Sequence, residues 1–344
     1  MTVDEPTHAT TDKKGLSPIA LGCGAFSGAY GPAPQDEIVR TVRKALESGV
    51  TLLDTSPYYN DSEIKLGMAL KELEPEFPRS SYSICTKLGR YGYCKSDFDY
   101  SASRAVASVQ ESMRRLHTSY LDIVLCHDVE FVDITQIVDE TLPQLLDLKR
   151  KGLVRRVGIS GYPLDVLLEI ARVQNMRGSP LDVCLSYCNL NLHCQLLAEY
   201  VPRLRAAGVS TIIAASPLSM GLLSGDAPPH WHPASLRLKD AVKACVDLVQ
   251  VHNDKCISSG KISLAQIAES YAFSFEDVDI HLVGAKTARE VEHAVDAYEG
   301  ARTLLKLYPG GSYEDPSVDH LYKKILGILK PFSRYNWQSP PDDA

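Results

Sequence analysis

Asp54, Tyr59, Lys87 and His127 are residue types that together make an acid–base relay. A tyrosine alone is a poor proton carrier near neutrality, because its free pKa is about 10. A nearby ammonium favours the phenolate and lowers that value, and Lys87 can supply it. Asp54 can hold Lys87 and balance its charge, since an unpaired buried ammonium is costly. Tyr59, five residues after Asp54, can lie over both. His127 can donate or accept a hydrogen bond at a reacting oxygen and orient it. Such a set suits proton transfer at an alcohol or carbonyl while hydride moves to or from a nicotinamide, which carries the redox chemistry.

The spacing of these residues implies the elements that position them. Asp54 ends the apolar run Val50–Asp54, Lys87 ends Tyr82–Lys87, and His127 ends Leu121–His127. Each run reads as a short buried strand with one titratable group at its C-terminal end. In a (β/α)8 barrel those ends open onto one face, where active sites are built. Singly, each residue has a structural alternative. Asp54 can cap a loop, Tyr59 can be a turn aromatic, Lys87 can snorkel from a strand end and His127 can be a core histidine. Their joint order at one barrel mouth favours catalysis.

Strand-like and helix-like segments alternate along the whole chain. Strands are expected at 19–23, 50–54, 82–87, 121–127, 154–158, 181–186, 209–215 and 279–283. Helices are expected at about 35–48, from 62, 101–116, 133–151, 163–173, 196–207, 236–259, 263–275 and 287–297. Pro34 and Gly49 bracket the first helix, Ser62 and Glu63 supply a cap and an early acid to the second, and Gly152 and Gly208 stop two others. Eight repeated βα units predict a parallel (β/α)8 barrel, an α/β fold in a single domain over 15–308. Residues 1–14 read as a disordered lead-in without a secretory core, and 309–344 as a helix (about 317–329) and tail packing on the barrel.

Composition removes several function classes. The chain has 344 residues, 44% hydrophobic and 23% charged, as in an ordinary globular protein. A net charge of −7 without a basic run argues against nucleic acid or an anionic membrane as partner. No apolar stretch approaches the roughly 18 residues of a membrane span. Nine cysteines at irregular spacing predict reduced thiols and a cytoplasmic location. Cys184, Cys188 and Cys194 with His193 match no common zinc spacing and read as buried, inert groups, so no metal is expected. No coiled-coil or repeat signal argues against a monomer.

The stretch Asp54-Thr55-Ser56-Pro57-Tyr58-Tyr59-Asn60-Asp61-Ser62-Glu63-Ile64-Lys65-Leu66-Gly67 resembles the signature of the aldo-keto reductases, and Lys87 and His127 fall at that family's other two catalytic positions. The resemblance runs from about Leu16 to Ala297. It implies that Tyr59 is the acid/base, that Lys87 and Asp54 tune it, and that His127 positions the substrate oxygen. The segments 126–131, 158–163, 185–189 and 215–223 are similar to the sugar-oxidising branch that acts on L-galactose and D-arabinose. That branch oxidises an aldose at its anomeric carbon to a lactone with NAD.

The same resemblance implies a cofactor path. Ser160 would meet the nicotinamide carboxamide, and the loop with Ser216, Leu218, Met220, Gly221 and Leu222 would cover the pyrophosphate. Gly284, Lys286, Thr287 and the following helix would hold the adenosine end. A helix N-terminus with Lys286 and Thr287 is also a sound anion site on physical grounds. Ala215 stands where many relatives carry an aromatic against the nicotinamide, and Leu185 or Ser186 where many carry a glutamine. Glu290 or Glu292 aligns with the arginine that grips a 2′-phosphate in NADP-preferring relatives. A carboxylate there repels a phosphate and can accept from a ribose hydroxyl, so NAD is expected over NADP. Lys286 and Arg289 leave weaker NADP use open. Asp128, Glu130 and Phe131 after His127, and Trp231 with His230 and His232, are candidates to line the sugar pocket.

Two further patterns in the sequence point to other folds. Gly22-Cys23-Gly24-Ala25-Phe26-Ser27-Gly28 with Asp54 suggests a Rossmann fingerprint, but the Pro-bearing stretch 30–34 interrupts where the phosphate-binding helix should begin. Gly22 and Gly24 are better explained as relieving crowding at the mouth. Tyr91 and Lys95 match Tyr-x-x-x-Lys, but that pair needs a helix and stands in a Gly-bearing loop. A non-catalytic NAD-binding regulatory barrel and an aldehyde reductase of the pyridoxal type remain as alternatives.

Overall fold

The computed structural model describes residues 15–255, 261–304, 313, 315–335 and 337. Residues 1–14, expected as a lead-in, lie outside the described residues, as does Cys256. Eight strands form a closed, wholly parallel barrel in chain order. They are β1 Ile19–Gly22, β2 Leu52–Asp54, β3 Ser83–Leu88, β4 Leu121–Cys126, β5 Val154–Gly161, β6 Val183–Tyr187, β7 Thr211–Ala215 and β8 Ile280–Gly284. The helices are α1 Gln35–Glu47, α2 Ser62–Leu73, α3 Ala102–Arg115, α4 Ile134–Gln136, α5 Leu142–Arg150, α6 Leu164–Met176, α7 Leu196–Ala206, α8 Leu236–Lys255, α9 Leu264–Phe273, α10 Ala288–Leu304 and α11 Pro316–Leu329.

Strand parity decides what reaches the mouth, because alternate residues of a strand face opposite sides. Leu52, Cys85, Ile123 and Leu125 fill the barrel interior with Ala20, Val183, Ile213 and Ile280. Leu53, Ile84, Val124 and Cys126 face the surrounding helices. Asp54 stands two residues beyond Leu52, Lys87 two beyond Cys85 and His127 two beyond Leu125. All three therefore continue the inner rows up to the rim. At the opposite end, Asp122 and Asp182 bind Arg79 and Lys149 and accept the backbone N–H of Ile84 and Val157, which is stapling rather than chemistry.

Four local readings change. The expected helix over 133–151 is split by a π-helical turn, Ile137–Thr141, before α5. Pro143 has no N–H to offer one turn back, and Thr141 Oγ1 donates out of the helix to Tyr100 O, with Gln136 O 3.4 Å away. Strand β5 runs to Gly161, past the expected end at Gly158. Ser62 does not cap α2. Its hydroxyl donates to Cys23 O at 2.7 Å, tying the rim loop after β1 to α2. Glu63 is fully buried and accepts from Thr86 Oγ1 at 2.7 Å, which anchors β3 one residue from Lys87.

A second apolar cluster stands beside the barrel. Leu321, Tyr322, Ile325 and Leu329 of α11 pack with Leu238, Val242 and Cys245 of α8 and Ile267 of α9. Beyond α11 the chain returns to the rim, where Trp337 packs with Tyr162 and Cys188. No described helix is long and apolar enough to cross a membrane.

Candidate active site

Lys87 Nζ lies 2.8 and 2.7 Å from the two carboxylate oxygens of Asp54 and donates to Thr55 O at 3.0 Å. Both side chains are almost sealed from water. The same nitrogen stands 4.9 Å from the centre of the Tyr59 ring. The Tyr59 and His127 rings meet edge to face, centroids 5.7 Å apart. Three strand ends and one loop thus converge on a single point. Tyr59 reaches it through a tight turn, in which Pro57 follows Ser56 and Tyr59 N–H donates to Ser56 O at 3.0 Å. Gly24 passes close to the Tyr59 ring, and Gly22 lets β1 approach Gly284 of β8, where a Cβ would meet backbone at 3.2 Å.

Burial dominates the proton affinities here. Desolvation pushes the Tyr59 phenol up to about 12, although Lys87 pulls it back. The lysine effect expected from sequence is present but is outweighed by burial. Burial opposes the charge of Lys87, yet Asp54 with Tyr59 and Cys85 raises its affinity above the usual value. Burial, then Lys87 and Arg90, drives His127 well below the ordinary imidazole range. His127 is therefore a neutral ring beside a protonated phenol and a lysine cation.

A second ion pair lies alongside. Arg90 donates to Asp128 Oδ2 at 2.6 Å and to Tyr58 Oη at 3.0 Å, its guanidinium 3.9 Å from the Tyr58 ring centre. Asp128 takes a left-handed backbone, φ 48°. Glu130 turns toward β5, where Oε1 accepts Tyr162 N–H at 3.1 Å, and burial with Asp128 nearby pushes its carboxyl up to about 8. Phe131 packs on Phe98 at 5.1 Å. Of the three residues expected to line the sugar pocket after His127, Asp128 pairs with Arg90 while Glu130 and Phe131 face structural partners.

The expected cofactor residues fall along one side of the rim. Ser160 is buried and donates to Cys126 O at 3.3 Å. Ser216, Ser219, Met220 and Gly221 all have positive φ, 50° to 90°, in a tightly folded loop. His193 Nε2 contacts Ser219 Oγ at 2.9 Å and His232 Nε2 contacts Ser219 O at 2.8 Å, so both histidines brace that loop. Leu222 is turned into the α8–α11 cluster and its N–H donates to Ser219 O, while Leu218 packs on the edge of the same cluster. Gly284 is exposed at the end of β8. Lys286 Nζ donates to Tyr30 O at 2.9 Å and its N–H to Glu290 Oε2 at 2.7 Å; Thr287 Oγ1 accepts Glu290 N–H at 3.2 Å. Glu292 points away, bonded to Lys44 of α1 at 2.7 Å, so of the two acids named for the ribose only Glu290 stands beside Lys286. Glu37 of α1, which the sequence did not single out, accepts Ala288 N–H at 3.3 Å.

Aromatic rings form an arc along this rim. Tyr30 meets Trp231 at 5.5 Å, Trp231 meets His232 at 6.3 Å, His232 meets Trp337 at 5.5 Å, and Trp337 stacks on Tyr162 at 5.4 Å. Trp231 is thus tied to the loop after β1. Among the described residues, no group of three or more His, Cys, Asp or Glu is placed to hold a metal ion, and Cys184, Cys188 and Cys194 are buried free thiols. Tyr91 and Lys95 share no α-helix. Gly22–Gly28 leads into a 3-10 turn, Cys23–Ser27, with α1 starting only at Gln35.

Ser56, Tyr58 and Arg90 are site neighbours that sequence reasoning passed over. Ser56 and Tyr58 lie inside the Asp54–Tyr59 stretch, and Arg90 lies three residues past Lys87, so proximity to the relay was the available signal.

Comparison with known proteins follows the same lines. Residues 18–303 match the Aldo/keto reductase family. The chain is 39% identical over 326 residues to L-galactose dehydrogenase of Arabidopsis thaliana, covering 94% of each chain. It is 38% identical over 294 residues to D-arabinose 1-dehydrogenase of Saccharomyces cerevisiae, covering 84% of each. The solved structure of aldo-keto reductase AKR11C1 from Bacillus halodurans (holo form) overlays with a TM-score of 0.67, across 97% of this chain and 98% of that one, at 21% identity, a likeness of fold.

Proposed function

The chain belongs to the aldo/keto reductase family, and on that premise we propose that it oxidises an aldose at C1 to the aldonolactone, with NAD as hydride acceptor. The observation that carries this reading is the almost fully buried Lys87–Asp54 pair beneath the Tyr59 ring, with the His127 ring at its edge. A protein that merely binds a nucleotide has no use for a phenol tuned in this way.

The chemistry is a balanced oxidation. The anomeric O–H gives its proton to the Tyr59 phenolate, C1–H leaves with its electron pair as hydride, and the C1–O bond becomes the lactone carbonyl. When bound, the oxidised nicotinamide supplies the hydride acceptor and a positive charge. Lys87 stabilises the phenolate, Asp54 balances Lys87, and His127 holds the reacting oxygen. Asp128, with Arg90 behind it, is the acceptor we assign to a sugar hydroxyl.

The residues present fit a dinucleotide. Lys286 Nζ spends one donor on Tyr30 O and keeps others for an anionic oxygen. Ser160 would meet the carboxamide, the Ser216–Gly221 loop the pyrophosphate, and Glu290 the ribose. Two carboxylates, Glu290 and Glu37, already bond the first N–H groups around α10. They disfavour a 2′-phosphate, which supports NAD over NADP. We further propose a cytoplasmic location, in keeping with the free cysteines, and an enzyme that acts as a monomer on a small sugar.

Purified protein assayed with NAD+ or NADP+ against D-arabinose, L-galactose and L-fucose, and with NADH or NADPH against pyridoxal, following reduced nicotinamide in each case, tests the reading. Aldose oxidation faster with NAD+ is expected. Turnover of none of the sugars, or a clear preference for reducing pyridoxal, overturns it.

A further inference from the structure

Ser56 is fully buried in the turn between Asp54 and Tyr59. Its Oγ accepts the Tyr58 N–H at 3.1 Å and contacts His127 Nδ1 at 3.0 Å. A hydroxyl has one proton to give. Among the described hydrogen bonds, Nδ1 is the acceptor within reach of that proton. If Nδ1 carried hydrogen instead, Ser56 would accept twice and leave its own O–H buried without a partner, an arrangement folded proteins avoid.

We propose that Ser56 is a positioning residue that holds His127 as its Nε2–H tautomer, so that the ring can only donate, and not accept, at the mouth. The opposite ring nitrogen is free to do so. Nε2 lies 3.7 Å from Asp128 Oδ2, beyond hydrogen-bond length. The Tyr58 and Tyr59 rings flank the imidazole at 5.6 and 5.7 Å. Resting on the oxidation proposed above, this divides the work at one oxygen: His127 donates to it and Tyr59 takes its proton. The second-neighbour bond to a histidine decides which nitrogen carries hydrogen. Here that bond comes from the turn whose Ser56 carbonyl also holds the Tyr59 backbone. One residue therefore orients both partners of the reacting oxygen.

Nitrogen-15 NMR of histidine-labelled full-length protein reads the tautomer directly, with His127→Gln used to assign the His127 signals among the ten histidines. Protonated Nε2 and bare Nδ1 are expected in the wild type. Ser56→Ala is expected to give a mixture of tautomers and to lower kcat about tenfold with little change in KM. A wild-type signal from protonated Nδ1 overturns the proposal. So does a Ser56→Ala protein that keeps a pure Nε2–H ring, whatever its rate. If that variant does not fold, the wild-type spectrum decides alone. Absence of aldose turnover in a wild type with the expected spectrum would sink the proposed reaction and leave the tautomer assignment intact.

Discussion

Lys87 and Asp54 form a two-pronged ion pair, 2.8 and 2.7 Å, in a place water does not reach. Such pairs add little net stability, but breaking one strands a buried charge. Asp54→Asn is expected to cost about 3–5 kcal/mol, and Lys87→Met a similar amount. The double variant should recover much of the loss and still be inactive, because Tyr59 has lost its cation. Urea unfolding and activity of the three proteins check this. A double variant as unstable as the sum of the singles would contradict it.

Tyr59→Phe keeps the ring and removes the proton carrier. Turnover should fall by about 10²–10⁴ while the melting temperature stays near that of the wild type. Steady-state assays and thermal melts measure both. Retained turnover would mean another group carries the proton.

The direction of the reaction should set its pH dependence. Burial holds the Tyr59 phenol up to about 12, above its free value of 10.0, so the resting form is protonated. Oxidation needs the phenolate, so its kcat should rise with pH through the neutral range, by up to about tenfold per unit. Reduction uses the phenol and should stay flat there. His127, held well below its ordinary range, should add no acid limb near pH 6.5. A profile of kcat against pH in both directions checks the sign, and an oxidation rate independent of pH would refute the role given to Tyr59.

Cofactor choice should turn on the two carboxylates at the start of α10. Glu290→Ser and Glu37→Gln are each expected to raise the ratio of kcat/KM for NADP+ over NAD+ about tenfold, or ~1.4 kcal/mol. Glu292→Ala should leave it unchanged, since Glu292 faces Lys44. An unmoved ratio in the first two variants would place the 2′ position elsewhere.

One buried carboxyl of α9 should govern how stability changes between mildly acidic and neutral pH. Burial, then Glu290, pushes Glu269 up to about 8 from 4.5. The folded state thus holds a proton that the unfolded chain releases near 4.5. Stability is full below that pH, erodes as pH rises toward 8, at most about 1.4 kcal/mol per unit, and levels off above. Glu269→Gln should flatten this part of a plot of melting temperature against pH. An unchanged slope would show that Glu269 does not titrate this way.

Much of the framework was readable because strand parity and strand-end chemistry are local. Each of Asp54, Lys87 and His127 follows an apolar run whose length and alternation are visible in order along the chain. What those ends touch is decided between elements. Nothing near Glu63 in sequence indicates that it holds Thr86, and nothing near Glu292 reveals Lys44. Net proton affinity was equally out of reach: Tyr59 beside a lysine predicts a lowered pKa, and only its burial shows the balance going the other way. The π-helical turn before Pro143 was hidden because a helical pattern tolerates one extra residue without losing its apolar face.

The chain has two tryptophans, and both belong to the arc of rings along the rim. The protein therefore carries its own optical probe. With no indole elsewhere to add background, ultraviolet emission from the unlabelled enzyme should report whatever settles over the barrel opening, and a reduced nicotinamide docking there would draw that light off by energy transfer.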